Sequence, residues 1–495
     1  MRAAGARMET KQTAERSAST NCSVESASPP DERGISSGRS TTRHGRVYSV
    51  PDALALGLAL TAAGIIAWFA RGWFFYHDDW NIIFYRRSGG VHAFFAPYLD
   101  NLFAGVIFLY RVLFATVGLR HIGPYIGVEL TLHILCAGLL YVYLRRRGVL
   151  PWLCLSILAV LLLLGSGWQA MVWLACAGFV IPLIAMLGIL LLWDSKLRRA
   201  DLFAFMLACV GLLSHATSVP ILLGLIVASI GTGLRPTRLA ALGLPLVGWA
   251  FWFLAVRPTL LPPASLRHIA GSAPPSRSIS LAHLDLNLLG PWLWHSLEGS
   301  LGALAGKPNS AVVALLVGFF GAGLLAWALI RRQLGWRTLG MMIAVLGFWC
   351  SGWVASANEI VSPTASRYLY PGAVFLLMLI GECLRGINVK APVAALTVVL
   401  VALILSSNVD QLRVNSDVAS AQFARAKVAL ADLEGCRGRL APTFRFPPDL
   451  SSLEGGTTSA AFGVRAGPFW AATAALGKPV PAVSPRHDPL CPETM

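Results

Sequence analysis

From about residue 50 to residue 408 the chain alternates between long apolar runs and short clusters of Arg and Lys. The runs are 17 to 24 residues long, and about 20 apolar residues suffice to cross the ~30 Å hydrocarbon core of a bilayer as a helix. The pattern predicts eleven spans. The first, 52–75, gathers Trp68, Trp73 and Phe74 at its far end and follows Arg39, Arg43 and Arg46. It is longer than the roughly 7–15 residues of a signal-peptide core, so it reads as an uncleaved anchor with its N-terminus inside.

The basic clusters carry the orientation onward. Span two, 122–144, ends in Arg145, Arg146 and Arg147; spans three and four turn around 165–169 and return to Lys196, Arg198 and Arg199. Spans five and six turn near His215 and return to Arg235 and Arg238; span seven covers 239–256. Span eight returns to Arg331, Arg332 and Arg337, spans nine and ten turn around 358–367 and reach Arg385 and Lys390, and span eleven covers 391–407. On this path five short inside loops hold 13 basic residues in about 30 positions, against nine in about 110 in the larger outside loops. That bias is the positive-inside signature. Segment 102–119 is apolar and long enough to cross, but a crossing there would invert every later loop. With Arg111 at its centre, where a lipid-facing arginine costs at least about 2.5 kcal/mol, an interfacial or re-entrant helix fits better.

The expected organisation is therefore an all-α polytopic membrane protein in three parts. Residues 1–50, rich in Ser, Thr, Gly and Arg, read as a disordered cytoplasmic leader or a translation start placed too early. Residues 51–409 form the transmembrane domain, with outer loops at 77–121 and 257–310, and 410–495 form an extracytoplasmic tail. Within the second loop, 284–295 is rich in Leu and Trp, as suits a helix in the headgroup zone. The tail opens with a helical stretch, 419–433, and then turns rich in Pro and Gly. No internal repeat is visible.

Composition sharpens this. The chain is 56% hydrophobic and only 13% charged, about half the usual share of charge. A soluble enzyme, a disordered protein and a disulfide scaffold are excluded. A formal charge of +16, from 40 Lys and Arg against 24 Asp and Glu, would suggest nucleic acid in a soluble chain; here it marks loops. Of nine cysteines none forms a CxxC or a zinc-spaced cluster. Cys436 and Cys491, in the polar tail, are the one candidate disulfide pair.

Candidate chemistry gathers on the outer side. His77, Asp78, Asp79 and Trp80 follow the first span directly. Two adjacent carboxylates at a membrane surface repel each other and lose hydration, so at least one pKa should rise; an aspartate in that state suits a general base. The plainer alternative is a loop start in which Asp accepts from backbone N–H groups. Glu129 and His133 are four residues apart in span two, on one helix face, where an intramembrane carboxyl faces a wet cavity or pairs structurally. Arg111 and Arg367 are candidates for bidentate phosphate contacts, or for snorkelling to headgroups. His215 reads as a satisfied polar residue. There is no P-loop, no GxGxxG opening a helix, no HExxH and no GxSxG.

In order and membrane side these residues resemble the GT-C superfamily of integral membrane glycosyltransferases, among them the bacterial mannosyltransferase-like and aminoarabinose-transferase-like proteins. The resemblance covers about 50–410. It rests on the acidic pair after the first span with Trp80, and on the interfacial Tyr110, Arg111, Val112 and Leu113. A second span with Leu130, Thr131, Leu132 and His133 and a late Arg367, Tyr368 and Leu369 complete it. It implies transfer of a sugar, with inversion, from a polyprenyl-phosphate carrier to an envelope lipid, polysaccharide or protein outside a bacterial inner membrane. Asp79, and then Asp78, would be the catalytic base. Arg111, Arg367, Tyr368, His133, Glu129 and Trp80 would bind substrate, with Trp80 offering a sugar-stacking face. Several members carry a further acidic residue where this chain has Gly167, Trp168 and Gln169. No cofactor is therefore expected, and a divalent metal at Asp78 and Asp79 lacks support. The competing classes are a polysaccharide polymerase, a flippase and a transporter of lipid-linked sugars; a transporter tends to show repeats and interrupted helices.

Overall fold

A computed structural model describes residues 50–444 apart from 77, 99–100, 196, 232, 234, 261–284, 332–333, 357–361 and 388–389, together with 452–453, 457–458 and 464–480. The expected leader, His77 and Cys491 lie outside the described residues. Those described are almost wholly helical; the one strand pairing joins Ser452–Leu453 to Thr457–Thr458.

Helix α1 (Val50–Ala70) is the first anchor. The expected outer loop that follows holds α2 (Asp78–Tyr85), α3 (Val91–Phe95) and α4 (Ala104–Thr116). At 13 residues α4 reaches about 20 Å, short of a crossing. Helix α5 (Gly123–Arg146) opens with a proline in its first turn, where no amide hydrogen is missed. It closes at Gly148, whose φ of 79° lets Val149 N–H reach the Leu144 carbonyl and Gly148 N–H that of Arg145. Then come α6 (Pro151–Leu162), α7 (Gln169–Val172) between two tight turns, and α8 (Ala177–Trp193). Next are α9 (Ala200–Ser214), α10 (Ser218–Ile230) and α11 (Pro236–Phe251), the last continued by a π-helical turn and a short helical end to Leu260. The second half has α12 (Leu289–Leu304), α13 (Ala311–Ile330), α14 (Trp336–Ser356), α15 (Ser366–Cys383), α16 (Ala391–Gly435) and α17 (Ala466–Leu476).

Seven helices among the described residues are long and apolar enough to cross a membrane. They are α1, α5, Leu174–Trp193, Pro236–Leu260, α13, α14 and α16. The chain is thus an all-α protein of multi-pass membrane character. Helices α6, α9 and α10, three of the other expected spans, are only 12, 15 and 13 residues long, or about 18–23 Å. Each is by itself too short to cross the ~30 Å hydrocarbon core.

Packing at the other end is tight and ionic. Glu382 of α15 is buried and accepts from Tyr143 Oη at 2.5 Å and from Arg147 Nε and Nη2 at 2.7 and 3.0 Å. Arg337 Nη1 donates to Asp194 at 2.9 Å and Arg146 Nη1 to the Leu191 carbonyl at 3.1 Å, while Arg238 Nε lies 3.7 Å from Asp201, which also accepts from Thr237 Oγ1 at 2.6 Å. The basic residues expected to fix orientation thus also fasten α5 to α15 and α8, α14 to α8, and α11 to α9. In the middle, α10 and α14 touch backbone to backbone at Gly224 and Gly340, where a Cβ on either would meet the other's carbonyl oxygen.

Helix α16 departs most from expectation. It runs unbroken through the expected domain boundary at 409–410, for 45 residues. Its Asn408 is fully buried; the side chain accepts from Gly165 N–H at 3.0 Å and donates to the Leu304 carbonyl at 3.0 Å. Ser416 Oγ donates to the Phe69 carbonyl at 2.6 Å. The C-terminal half of α16 is therefore a post against which α1 and the α6–α8 hairpin lean.

Replacing Glu382 by Ala leaves the Arg147 guanidinium and the Tyr143 hydroxyl without their partner. We expect a loss of about 3 kcal/mol, read as a lowered melting temperature of the purified protein in detergent. An unchanged melting temperature would remove this cluster from the interactions that hold the bundle.

Candidate functional site

The sequence after α1 sets the site. Residues 71–76 carry Trp73, Phe74, Phe75 and Tyr76, too large to remain in water, and they fold back under the start of α2. Asp79 is carried in with them and is 3% exposed. Its Oδ2 accepts from Tyr76 N–H at 2.7 Å, a local brace across the helix start. Its Oδ1 accepts from Trp173 Nε1 at 3.0 Å and from the Tyr110 hydroxyl. Three segments far apart in sequence thus meet on one carboxyl group. Burial raises its pKa from 3.8 to about 7, against the opposing pull of the Tyr110, Tyr76 and Trp173 donors, with the charge of Asp78 adding to the rise.

Around this group lies a recess walled by aromatic rings. Trp73, Tyr76, Tyr125, Trp168, Trp173 and Phe423 line it together with Asp79. Trp73 meets Trp168 edge-on at 4.8 Å, and Tyr76 meets Trp173 edge-on at 4.8 Å. Phe423 comes from the C-terminal half of α16, its ring centre 5.8 and 5.9 Å from those of Trp73 and Tyr76. Four residues on, Lys427 Nζ donates to the Gly72 carbonyl at 3.3 Å and lies 5.4 Å from the centre of the Phe74 ring.

Asp78 is half-buried and acts electrostatically on Tyr98 and on Arg367. Burial, and then the charge of Asp78, hold the Tyr98 phenol well above the ordinary phenol range. Arg367, in the first turn of α15, lies over the ring of Tyr368 at 5.4 Å. Its charge also acts on His215 and Cys176. The fold therefore gathers the acidic pair and the late arginine, separated by almost 290 residues, into one electrostatic neighbourhood.

The other expected residues sit as follows. Arg111 is engaged by main-chain carbonyls: Nε donates to Arg86 at 2.9 Å, and Nη2 to Ser88 at 3.1 Å and Gly89 at 2.8 Å. Its guanidinium lies 4.0 Å from the Phe94 ring centre, so it clamps the loop between α2 and α3. Trp80 is buried and packs among Phe74, Phe75, Phe84 and Phe469; the stacking faces of the recess belong instead to Trp73, Trp168 and Trp173. Glu129 and His133 share a face of α5 but form no pair: His133 bonds the Tyr370 hydroxyl at 2.8 Å and the Leu162 carbonyl at 3.2 Å. His215 is satisfied by Thr217 Oγ1 at 2.6 Å, as expected. No group of three or more His, Cys, Asp or Glu side chains suited to a metal ion occurs among the described residues.

The C-terminal region packs against this arrangement. Helix α17 puts Phe469 against Trp80, its Leu476 carbonyl accepts from Leu119 N–H at 2.9 Å, and its Trp470 Nε1 donates to the Leu433 carbonyl at 3.0 Å. Cys436, at the end of α16, is disulfide-bonded.

Tyr110, Trp173, Tyr98 and Phe423 are the residues that sequence reasoning passed over. Tyr110 lay within the quoted motif, one position from the arginine that drew attention.

Asp79 also writes a pH dependence into stability. Its unfolded pKa is near 3.8 and its folded pKa near 7, so between those values the folded state holds the proton and the unfolded state does not. Stability contributed here falls as pH rises from about 4 to about 7 and then levels. Asp79→Asn removes the titration. We expect its melting temperature to gain on wild type from pH 5 to 7, with a constant difference above about pH 8; a difference independent of pH would show that Asp79 titrates normally.

Comparison with known proteins finds no matching family model, no matching curated protein and no matching solved structure.

Proposed function

We propose that the protein is a GT-C-like membrane glycosyltransferase. On this reading it takes a sugar from a polyprenyl-phosphate donor and passes it to an envelope glycolipid, polysaccharide or protein on the outer face of a bacterial inner membrane. The observation that carries the reading is Asp79, a buried carboxyl balanced near pH 7 in an aromatic recess beside Asp78 and Arg367. A base whose pKa lies near the working pH is the most effective compromise between availability and strength.

The reaction follows from the atoms available. Asp79 Oδ1 already receives two hydrogen bonds and Oδ2 one, so the open lone pair on Oδ2 is the place for a proton. The acceptor hydroxyl gives its proton there as its oxygen forms a bond to the anomeric carbon. The bond from that carbon to the phosphate oxygen breaks on the opposite face, so configuration inverts and lipid phosphate leaves. The charge of Arg367 favours that anion, and Asp78, coupled to both Tyr98 and Arg367, orients the polar side of the site. The carrier's isoprenoid tail fits between apolar helices open to lipid. The chain's N-terminus lies inside in this reading and its tail outside, where the Cys436 disulfide would persist.

With a radiolabelled lipid-linked sugar pool as donor, Asp79→Asn should lower transfer by about 10²–10⁴-fold at normal membrane insertion. The wild-type rate should rise with pH through an apparent pKa of about 7 as the base loses its proton, a limb that the variant lacks. Asp78→Asn should retain that limb at a reduced rate. Normal glycolipid synthesis by both single variants would move the polymerase or flippase reading ahead.

Orientation has its own test. Reporter fusions after Arg147 and after Gly438 should report inside and outside respectively. The reverse result at either position would overturn the eleven-span path.

A further inference from the structure

Inward from Asp79 both walls of the recess continue into polar atoms that have no hydrogen-bond partner among the described residues. On α5 the lining residues Ile122, Tyr125 and Ile126 are followed on the same face, three and four positions on, by Glu129. On the facing wall Gln169 stands one turn before Val172 and Trp173, which also line the recess. Helices α5 and α7 pack directly on each other.

Glu129 is wholly buried, and neither of its carboxyl oxygens has a hydrogen-bond partner among the described residues. The same holds for Gln169 Oε1 and, in the lining itself, for the Trp73 indole N–H. The nearest polar neighbour on α5 is committed elsewhere, since both ring nitrogens of His133 face Tyr370 and Leu162. The Cys176 thiol feels Glu129 together with Asp78, Asp79 and Arg367, so this floor and the acidic pair belong to one region. Leaving such groups bare is costly, and the cost is sensible where a ligand completes them.

The chemistry of that ligand can be read from what is unpaired. Glu129 and Gln169 offer acceptors next to the recess, and within its lining Trp73 offers a donor among other indole rings. A metal ion would satisfy only the acceptors, and an acyl chain would satisfy neither. A sugar ring has hydroxyls that both donate and accept, and C–H faces that lie against aromatic rings. We propose that Glu129 and Gln169 form the floor of a sugar pocket, accept hydrogen bonds from ring hydroxyls, and decide which sugar the site admits. The inference rests on the transferase reading and adds to it the residues that read the sugar.

The test separates the sugar from its carrier. Short-chain polyprenyl phosphate, bare or carrying mannose, glucose or galactose, is titrated against the purified protein in detergent, with tryptophan fluorescence as the readout. Wild type should bind at least one glycosylated lipid more tightly than the bare one. Glu129→Gln and, as an independent variant, Gln169→Leu should weaken that binding about tenfold or more and leave the bare lipid phosphate unchanged. Melting temperatures near wild type show that each variant is folded. Unchanged affinity for the glycosylated lipid in both variants, or an equal loss for both lipids, overturns the assignment while the transferase reading stands. If wild type binds neither kind of lipid, the transferase reading falls and takes this inference with it.

Discussion

The loop between α1 and α5 depends on how one carboxyl group is held. Asp79 lies out of water, where an ionised carboxylate without partners would be prohibitive. Donors from the segment after α1, from α4 and from the α7–α8 turn converge on it. Each donor carries its segment along, so this carboxyl group joins the ties, among them Lys427 to the Gly72 carbonyl and Trp252 to the Phe95 carbonyl, that hold the loop between α1 and α5 to the bundle. Burial still outweighs the donors, and the group comes to rest near pH 7. It can therefore be charged or neutral at little cost, a property that neither a solvated loop aspartate nor a fully paired one has.

The rest of the architecture lets that group stay dry without being sealed in. At one end of the bundle, arginines inherited from the loop pattern lock helices in pairs through Glu382, Asp194 and Asp201. Elsewhere, short helices are joined by turns, and the turn between α6 and α7 is pinned by Asn408 and Asn415 of α16, which bond Gly165 on its two sides at 3.0 and 3.1 Å. Rigid support from α16 and an aromatic wall from residues 73–76 and 168–173 then define the recess.

Much of this was legible in the sequence. Apolar runs between basic clusters located α1, α5, α13 and α14 closely, and the acidic pair stood out because adjacent carboxylates beside a span are costly. The continuity of α16 was not legible. Asn408, Asn415 and Ser416 look like an exit into water, and only tertiary contacts reveal that they bond the neighbouring turn and α1. The partners of Asp79 were hidden for a related reason. Tyr110 and Trp173 sit in apolar stretches where an aromatic residue is ordinary core, and nothing local marks a hydroxyl or an indole N–H aimed at a distant carboxyl. Successive helix residues point about 100° apart. So Tyr110 turns into the bundle while Arg111, the more conspicuous of the two, is left on the flank to hold a loop.

Three buried carboxyls mark three different uses of the same cost. Glu382 is saturated by a bidentate arginine and a tyrosine; its charge is fully answered, and it serves the fold. Asp79 is answered by neutral donors alone, which leaves it titratable. Glu129 is answered by nothing among the described residues. Were polar burial here only a matter of stability, apolar residues of similar size would serve as well or better at the last two positions. The paired carboxyl stands at the ion-paired end of the bundle, and the titratable and the bare one stand in and beside the recess. Order is thus fixed by ion pairs at one end, while hydrogen-bonding capacity unmet among the described residues is kept beside the recess.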